Sequence, residues 1–372
     1  MKREAYAAAR SVSPLVHAYF ARRIEKARRL TPENLASLPS AEAIEAMIDA
    51  AFWASLRREE GYQPKISFAF LSPEEAGQPL LFERSMALAP AALTRVARAV
   101  ERPGIHLGVW NGGEDLSVWG ATRTIPRYCF VLEVAAPGLL VVKHHSGDEA
   151  GKFVNVVLLE GDLIKLVDEH ASETPECPEL LTSLLGFQSS TSWADSVNVL
   201  VRLALSMREH GHGGCLLVVP AESEAWRESI VAPVAYAVSP PFSKLAQLNH
   251  EDASPDELGR TIEWVAGLTA VDGATIINDK YELLGFGAKI ARRPGFEQVE
   301  RVTLTEPIKG HVAARVHPDE LGGTRHLSAA QFVHDQRDAI ALVASQDGHF
   351  TIFEWSPCES MVRGHRVEAL LL

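Results

Sequence analysis

Cysteine is scarce in this chain. Its cysteines stand far apart without forming a CxxC pair, and they are Cys129, Cys177, Cys215 and Cys358. Scattered cysteines without such a pair are typical of proteins whose thiols stay reduced. We therefore expect four reduced thiols.

Long apolar runs are absent as well. Nowhere do about twenty apolar residues follow one another, which is the length that a membrane-spanning helix needs. Lys2 and Arg3 precede no apolar stretch of signal-peptide length. These absences predict a cytoplasmic protein without a membrane partner.

The chain also lacks an excess of positive charge. Its formal net charge is −12 at pH 7, which disfavours non-specific binding of the whole protein to DNA or to an anionic membrane. We therefore expect no nucleic-acid partner. A site for a nucleotide would need its own local basic residues, and Lys289, Arg292, Arg293 and Arg325 are available for that role.

Length and composition indicate two globular domains. The chain has 372 residues, of which 47% are hydrophobic and 23% are charged, and this length exceeds the usual size of a single core. Residues 171–190 show no helical or strand periodicity, so we place the domain boundary there. The prediction is an α/β protein with an N-terminal mixed α/β domain at 1–180 and a second domain at 190–365.

Helix and strand patterns alternate along the first domain. The segment 41–56 places Ile44, Met47, Ile48 and Phe52 at helical spacing. Another helix is predicted at 91–100, and strands are predicted at 65–70, 105–110, 116–119, 129–134, 139–142 and 153–159. This pattern predicts a sheet covered by helices.

The second domain opens with a helical pattern at 199–210 and a buried strand at 213–219. Ser254, with a proline after it, forms a capping box that starts a further helix with Leu258 and Ile262 on one face. This helix leads into a short strand at 274–277.

Two short segments of the second domain carry chemistry that suits a nucleotide. Asp272 and Gly273 stand directly before the short strand, where a carboxylate can hold a divalent metal and the glycine leaves room for a base or ribose. Further along, Thr324, Arg325 and His326 follow two glycines and precede a helical pattern. Backbone N–H groups at a helix start, with a hydroxyl and a guanidinium, form a cradle for phosphates.

Each of these segments also has a structural interpretation. An Asp-Gly pair is a common turn, and Thr324 could serve simply as a helix cap. The presence of both segments, in this order and with a glycine-rich strand between them, favours the nucleotide site.

Other histidine and tryptophan residues carry weaker signals. The pairs at 144–145 and 210–212 have no cysteine or carboxylate at a metal-ligand spacing, so we interpret them as turn and surface residues. Trp110 and Trp119 could line a pocket, but we interpret them as buried core aromatics.

On these residues the second domain resembles the diadenylate cyclase (DAC) domain, whose two marks are a DGA triplet and a GTRHR loop. Asp272-Gly273-Ala274 matches the first mark and Gly323-Thr324-Arg325-His326 most of the second. The segment 284–290 stands where such domains have a second strand that closes the adenine pocket. An apolar strand at 339–344 then ends in Ser345-Gln346-Asp347-Gly348, at the place of a Ser-Glu-Glu-type turn. The resemblance covers residues 193–355 and implies a central mixed β-sheet flanked by helices.

The resemblance also implies an activity, which is the condensation of two ATP molecules into cyclic di-AMP and two pyrophosphates. Each domain would hold one ATP, so a homo-oligomer with facing DAC domains would be needed. Asp272 would bind Mg²⁺ or Mn²⁺ and help to deprotonate the ribose hydroxyl, and Arg325 and His326 would act with it in catalysis. The binding residues implied by the resemblance are Gly273, Ala274 and Ile290 at the base and ribose, and Gly323, Thr324, Arg325, His326, Leu327, Ser328 and Ser345 at the phosphates.

The chain departs from the family pattern at two positions. Leu327 stands where the family has a second arginine, and Gln346 stands where it usually has a carboxylate. A lost guanidinium removes a fork for phosphate oxygens, and an amide holds a metal less strongly than a carboxylate does. A catalytically degenerate DAC fold that senses nucleotide is therefore the alternative to an enzyme, and a different cyclic dinucleotide is a third option.

The first domain resembles the probable sensor domain, of the DACNV type, that cytosolic bacterial proteins carry in front of a DAC domain. This resemblance implies a sensor that adjusts the pairing of the C-terminal domains. Its ligand, a small molecule or a protein, is not implied by any motif.

Overall fold

The computed structural model describes residues 5–30, 33–111, 115–145, 153–167, 199–250 and 255–372. The chain forms two compact units, Met1–Asp168 together with Leu372, and Glu169–Leu371. Each unit contains a mixed β-sheet with helices, which confirms the predicted two-domain α/β fold. The predicted boundary at 171–190 lies outside the described residues and stays a prediction.

The first unit combines an eight-stranded sheet with helices. Its described helices are α1 (Ala7–Leu30), α2 (Ala41–Ser55) and α3 (Pro90–Val96). Its strands are β1 (Ile66–Phe70), β2 (Leu80–Ala87), β3 (His106–Asn111), β4 (Leu116–Thr122), β5 (Phe130–Ala136), β6 (Leu139–His145), β7 (Phe153–Glu160) and β8 (Leu163–Leu166). Ser40 caps α2, since its side chain accepts a hydrogen bond of 3.2 Å from the N–H of Ala43.

The strands of the first sheet follow the order β2-β4-β3-β1-β5-β6-β7-β8. Strands β1 and β3 are parallel, and the other neighbours are antiparallel. Side chains alternate between the two faces of a strand. Phe68, Phe130 and Leu132 therefore share one face, where they form a core with α1, α2 and α3.

The opposite face of this sheet carries polar groups between its apolar residues. Ser67 Oγ and His106 Nδ1 lie 2.7 Å apart, and Lys143 Nζ donates to Glu133 Oε2 at 2.6 Å. His106 and Lys143 are both buried. These two contacts pair polar groups of this face with one another.

Two side chains of the first unit test the sequence interpretations. Trp119 is buried and its Nε1–H donates to the carbonyl of Leu71 at 2.8 Å, which confirms a core aromatic. His144 is only 3% exposed and its Nε2 lies 3.2 Å from the hydroxyl of Tyr19. The interpretation of His144 as a surface residue is wrong, because it faces the core side of β6 beside Phe20.

The cysteines follow the expectation only in part. Cys129 and Cys215 are free and buried, and burial raises the pKa of both thiols, that of Cys215 to about 12. Cys358 is disulfide-bonded. The expectation of a reduced thiol is therefore wrong for Cys358.

The second unit is built on a nine-stranded sheet. Its described helices are α4 (Val199–Glu209), α5 (Lys244–His250), α6 (Pro255–Leu268), α7 (Thr324–Asp335) and α8 (Glu368–Leu371). Its strands are β9 (Gly214–Val219), β10 (Tyr236–Phe242), β11 (Ala274–Asn278), β12 (Leu283–Ala288), β13 (Val302–Thr305), β14 (Ala314–Val316), β15 (Ile340–Ala344), β16 (Phe350–Ser356) and β17 (Met361–Arg366).

The strands of the second sheet follow the order β10-β12-β11-β9-β15-β16-β17-β13-β14. The pairs β9 with β11 and β13 with β17 are parallel, and the other neighbours are antiparallel. Helices α4, α5 and α6 pack against one face through residues such as Leu203 and Ile262. Helix α7 packs against the other face through Phe332 and Val333. The sheet is thus central, with helices on both faces.

The strand that precedes Ile290 is shorter than predicted. β12 ends at Ala288, so Ile290 lies beyond the strand and forms an isolated bridge with Ile230. The backbone leaves the sheet here, because the N–H of Val231 donates a hydrogen bond of 2.8 Å to the carbonyl of Lys289, outside the ladder of the sheet.

Candidate functional site

Four neighbouring strands of the second sheet each have one end at the same side of the sheet. β9 and β11 are parallel and both begin there. β12 and β15 run antiparallel to them and end there, since Ala288 pairs with Ala274 and Ala344 pairs with Gly214. The register therefore brings the segments that follow or precede these ends to the same place. We call this place, which lies at the ends of these strands and not along an outer strand, the loaded edge. It comprises Gly213, Asp272-Gly273, Lys289 and Ser345-Gln346.

Asp272 stands on the loaded edge with an ionised partner. Its Oδ2 forms an ion pair with Nζ of Lys289, and the two side chains are 86% and 57% exposed. This hydrogen bond lowers the pKa of Asp272, and the nearby charge of Arg325 lowers the same pKa further. The carboxylate is therefore held in its ionised form, which suits a cation ligand better than a proton acceptor.

Gly273 has a backbone that suits glycine alone. Its φ is +110°, and a Cβ added to it would lie 2.6 Å from the carbonyl carbon of Gly287 and 2.9 Å from the carbonyl oxygen of Ala288. The close approach of β12 holds Asp272 at the start of β11. Ala274 is the first residue of that strand and is buried, so it supports the site from inside the sheet.

The phosphate loop predicted from the sequence is the start of helix α7. Gly322 and Gly323 both have positive φ values, and Gly323 is the N-cap residue, so the cap is not Thr324. The N–H of Leu327 donates to the carbonyl of Gly323 at 3.2 Å. The N–H groups of Thr324, Arg325 and His326 precede this bond and point from the positive end of the helix. Thr324 is exposed, so its hydroxyl is accessible beside them.

Arg325 reaches from α7 to the loaded edge. Its Nη1 lies 2.9 Å from the position that a Cβ on Gly213 would occupy, and Cγ of Gln346 lies 3.2 Å from the same position. The absence of a side chain at Gly213 thus makes room for the guanidinium. The structure brings Arg325, Gln346 and the carboxylate of Asp272 into one neighbourhood.

His326 lies below the helix start rather than on the open surface. Its side chain is fully buried, and its ring is 6.0 Å from that of Phe353 in an edge-to-face arrangement. Neither ring nitrogen has a hydrogen-bond partner among the described residues. Burial lowers the pKa of His326, so the ring is neutral near pH 7. In this arrangement the ring packs against Gly322 and supports the loop.

A cavity of about 400 Å³ opens beside the same helix start. Three of the predicted site residues, Ile290, Leu327 and Ser328, line it, and so does the basic residue Arg292. A volume of this size is typical of small-molecule sites. We call it the α7 start cavity.

Two further residues of this cavity, Gln298 and Gln331, were missed by the sequence reasoning. Gln331 lies one helical turn after Ser328, so helical spacing could have indicated it. Gln298 belongs to no regular element, and no local signal marked it.

Ser345 follows the end of β15, as its prediction requires. Its hydroxyl donates to the carboxylate of Asp347, and its N–H donates to the carbonyl of His349 at 2.9 Å. These contacts close the turn that presents Gln346 beside Arg325. Ser345 is therefore part of the loaded edge.

The loaded edge offers the carboxylate of Asp272 as a candidate ligand for a divalent cation. Within the described ranges, no group of three or more His, Cys, Asp or Glu side chains is arranged to hold a metal ion. Asp272 offers one carboxylate, and Mg²⁺ in nucleotide sites commonly takes one or two carboxylates together with phosphate oxygens and water. The ammonium of Lys289 occupies this carboxylate in the structure, so a metal ion would have to compete with it.

Comparison with known proteins concerns the first unit. A family model described as "Probable sensor domain DACNV" matches residues 33–123, which include α2, α3 and strands β1 to β4. No protein of curated function matches the chain. In the described parts of the chain, no helix has the length and apolarity to cross a membrane. The match supports a sensor domain in the first unit.

Proposed function

We propose that the second unit is a diadenylate cyclase that condenses two ATP molecules into cyclic di-AMP and two pyrophosphates. The observation that carries this proposal is the loaded edge, where the carboxylate of Asp272 and the guanidinium of Arg325 converge beside the start of α7. A site that binds a nucleoside triphosphate requires a carboxylate for its metal ion and a cradle for its phosphates at one place.

Each part of the site has a role in this proposal. The N–H groups of Thr324 to His326 and the guanidinium of Arg325 bind the phosphates, while Ile290 and Leu327 provide an apolar wall in the α7 start cavity. Asp272 would hold Mg²⁺ or Mn²⁺, which supplies positive charge to the triphosphate. Lys289, which stands beside Asp272, would supply a further positive charge to a phosphate oxygen.

The reaction joins two nucleotides held by two facing copies of the unit. The 3′-oxygen of one ATP forms a bond to the α-phosphorus of the other, the bond to the β-phosphate oxygen breaks, and pyrophosphate leaves. The hydroxyl proton would pass through Asp272 to water, because the lowered pKa of this carboxyl makes it a poor final acceptor. The same exchange in the opposite direction closes the ring, so facing sites act mainly by holding the reactants in line.

The first unit would regulate this pairing. Its match to a probable sensor domain supports that role, and a small molecule or a protein is the expected signal. Binding of this signal would change how often two second units face each other.

A nucleotide sensor without turnover is the second candidate function. It is favoured by Leu327, which contributes an apolar surface to the α7 start cavity instead of a second guanidinium. Gln346 adds to it, because an exposed amide stands beside Arg325 in place of a carboxylate.

The test is incubation of the purified chain with ATP and Mg²⁺ or Mn²⁺, with mass spectrometry of the products. Cyclic di-AMP from the parent, and none from Asp272→Asn, is the expected result. Asp279→Asn is the matched control, since Asp279 is exposed at the other end of β11 and its Oδ1 accepts a hydrogen bond that an amide oxygen can also accept.

Three other results would change the assignment. ATP binding without product at any protein concentration would favour the sensor. A different cyclic dinucleotide from a mixture of nucleotides would redefine the substrate. Equal product from the parent and from Asp272→Asn would contradict the role of the carboxylate.

A further inference from the structure

A second cavity lies at the other end of helix α7. It has a volume of about 330 Å³ and is lined by Trp226, Arg293, Phe296, Asp335 and Arg337, among others. It is separate from the loaded edge, because it adjoins the end of β9 and the start of β15, whereas the loaded edge adjoins the start of β9 and the end of β15. We call it the α7 end cavity.

Two arginine side chains give this cavity a positive wall. The guanidinium of Arg337 lies 4.1 Å from the ring centroid of Trp355, and that of Arg293 lies 4.9 Å from the ring centroid of Phe296. Nε of Arg293 also donates to Glu228 at 2.6 Å. Within the described residues Arg337 has no carboxylate at ion-pair distance. A guanidinium stacked on a ring is positioned by it and keeps its N–H groups for an anion.

Both oxygens of Asp335, the acidic residue in the floor of this cavity, already accept hydrogen bonds from protein groups. Asp335 has a fully buried side chain. One of its oxygens accepts from the N–H of Arg293 at 2.7 Å, and the other accepts from Nε2 of Gln331 at 2.8 Å. The carboxylate therefore fixes the chain around Arg293 and offers little to a ligand. Asp338, at the rim, is exposed to solvent.

The remaining wall includes two aromatic side chains, Trp226 and Phe296. Trp226 is 3% exposed, with the guanidinium of Arg227 at 4.4 Å from its ring centroid, so it forms the buried backing of the wall, whereas Phe296 is partly exposed. Phe296 stands across the cavity wall beside Arg293. Aromatic surfaces next to guanidinium groups suit a ligand that carries a ring and an anion together.

We propose that the α7 end cavity is a second ligand site, which takes a small anionic compound with a flat ring, of the nucleoside monophosphate class. The phosphate would lie between Arg293 and Arg337, and the ring would lie against the partly exposed Phe296. The cavity volume falls at the lower end of the range for small-molecule sites, which matches a mononucleotide better than a larger compound.

The two cavities share structural elements. Gln331 lines the α7 start cavity, donates to Asp335 of the α7 end cavity, and accepts a hydrogen bond of 2.8 Å from the N–H of Val299. The segment 290–299 contributes residues to both cavities. A ligand in the second cavity would thus order a segment that also forms the first.

The test is calorimetric titration of the full chain with AMP. It is done in an Arg325→Gln background, so that binding at the proposed ATP site is weakened and does not mask the second site. We expect AMP to bind, and Arg337→Gln added to this background to weaken the binding about tenfold or more, as expected for a lost charge-assisted hydrogen bond. Arg301→Gln, at an exposed residue outside both cavities, is the matched control and should leave binding unchanged.

A second variant separates a lost contact from a damaged fold. Ala225→Phe fills the cavity without removing a charge and should weaken AMP binding as well. Inorganic phosphate and adenosine, titrated separately, should each bind more weakly than AMP.

Three results would overturn the proposal. These are the absence of AMP binding in the Arg325→Gln background, AMP binding that survives both Arg337→Gln and Ala225→Phe, and phosphate binding as tight as that of AMP. Because the readout is binding and not turnover, failure of the cyclase proposal leaves this test intact.

Discussion

Two ion pairs, one from each unit of this chain, differ in how far they are exposed to solvent. In the first unit, Lys143 is 11% exposed and donates to Glu133 within the sheet face. In the second, Asp272 and Lys289 pair at a sheet edge where both are more than half exposed. A buried ion is costly to leave without its partner, whereas an exposed pair exchanges its partner for another ion at little cost. The comparison teaches that the pair of Asp272 with Lys289 can exchange a partner for a ligand ion, whereas the buried ammonium of Lys143 depends on Glu133.

The largest effect is expected from Gly273→Ala, which alters the backbone that positions Asp272. The left-handed conformation costs an L-residue about 1–2 kcal/mol, and overlap with a packed neighbour adds about 1–3 kcal/mol. We expect a lower free energy of unfolding, measured by urea denaturation, and loss of nucleotide binding. Gly310→Ala is the control, since Gly310 has φ +81° with no atom within 4 Å of an added Cβ. Equal losses in both variants would contradict the close approach at Gly273.

Acid should destabilise the first unit through its buried histidines. Burial lowers the pKa of His106 and of His144 to about 4 from an ordinary 6.5. The unfolded chain therefore binds more protons than the folded one between pH 6.5 and 4, and stability falls as the pH is lowered through this window. A shift of this size corresponds to roughly 3 kcal/mol for each group.

The measurement is chemical denaturation at a series of pH values. The His106→Gln variant should show a shallower loss of stability between pH 6.5 and 4 than the parent. A slope equal to that of the parent would show that His106 is not the titrating group.

The pair of Lys143 with Glu133, whose ammonium is buried and whose carboxylate is partly exposed, should contribute more to stability than a fully exposed pair. Glu133→Gln leaves the ammonium of Lys143 without its counter-charge, and we expect a loss of about 1.5–3 kcal/mol in the free energy of unfolding. The exposed pair of Lys280 with Glu222 provides the control. Glu222→Gln should change the midpoint of denaturation much less, and equal changes would remove the distinction between the two kinds of pair.

The smallest effect on stability is expected from Lys289→Ala. Asp272 and Lys289 are both exposed, so the unfolding midpoint should stay close to that of the parent. The pKa of Asp272 should move up toward its ordinary value, because its hydrogen bond with Lys289 is the main cause of the lowering. NMR titration of the carboxyl group would measure this.

The same variant tests the cation site. Manganese binding in the absence of nucleotide, followed by electron paramagnetic resonance, should strengthen when the competing ammonium is removed. Unchanged manganese binding would show that the metal does not bind at Asp272.

Local patterns predicted many elements closely and their ends less well. The helix with Ile44 and Met47 follows its spacing, and the buried strands β9, β11 and β15 lie where the apolar runs stand. The predicted strand that reaches Ile290 is longer than the observed one, because a hydrogen bond with Val231, which is remote in sequence, draws Lys289 away from the neighbouring strand. His144 was misjudged for a similar reason, since its exposure depends on helix α1 packing over β6 and not on its neighbours in the chain.

By itself, the sequence determined the chemistry of the site and its order along the chain: a carboxylate before a strand, two glycines, and a hydroxyl and guanidinium at a helix start. These features depend on residues a few positions apart, so they are readable without a fold. Only the tertiary structure decided that Lys289 pairs with Asp272, that His326 is buried, and that Gln331 links two cavities. Such contacts depend on strand register and on which face of a helix is covered, and both are set by packing over the whole unit.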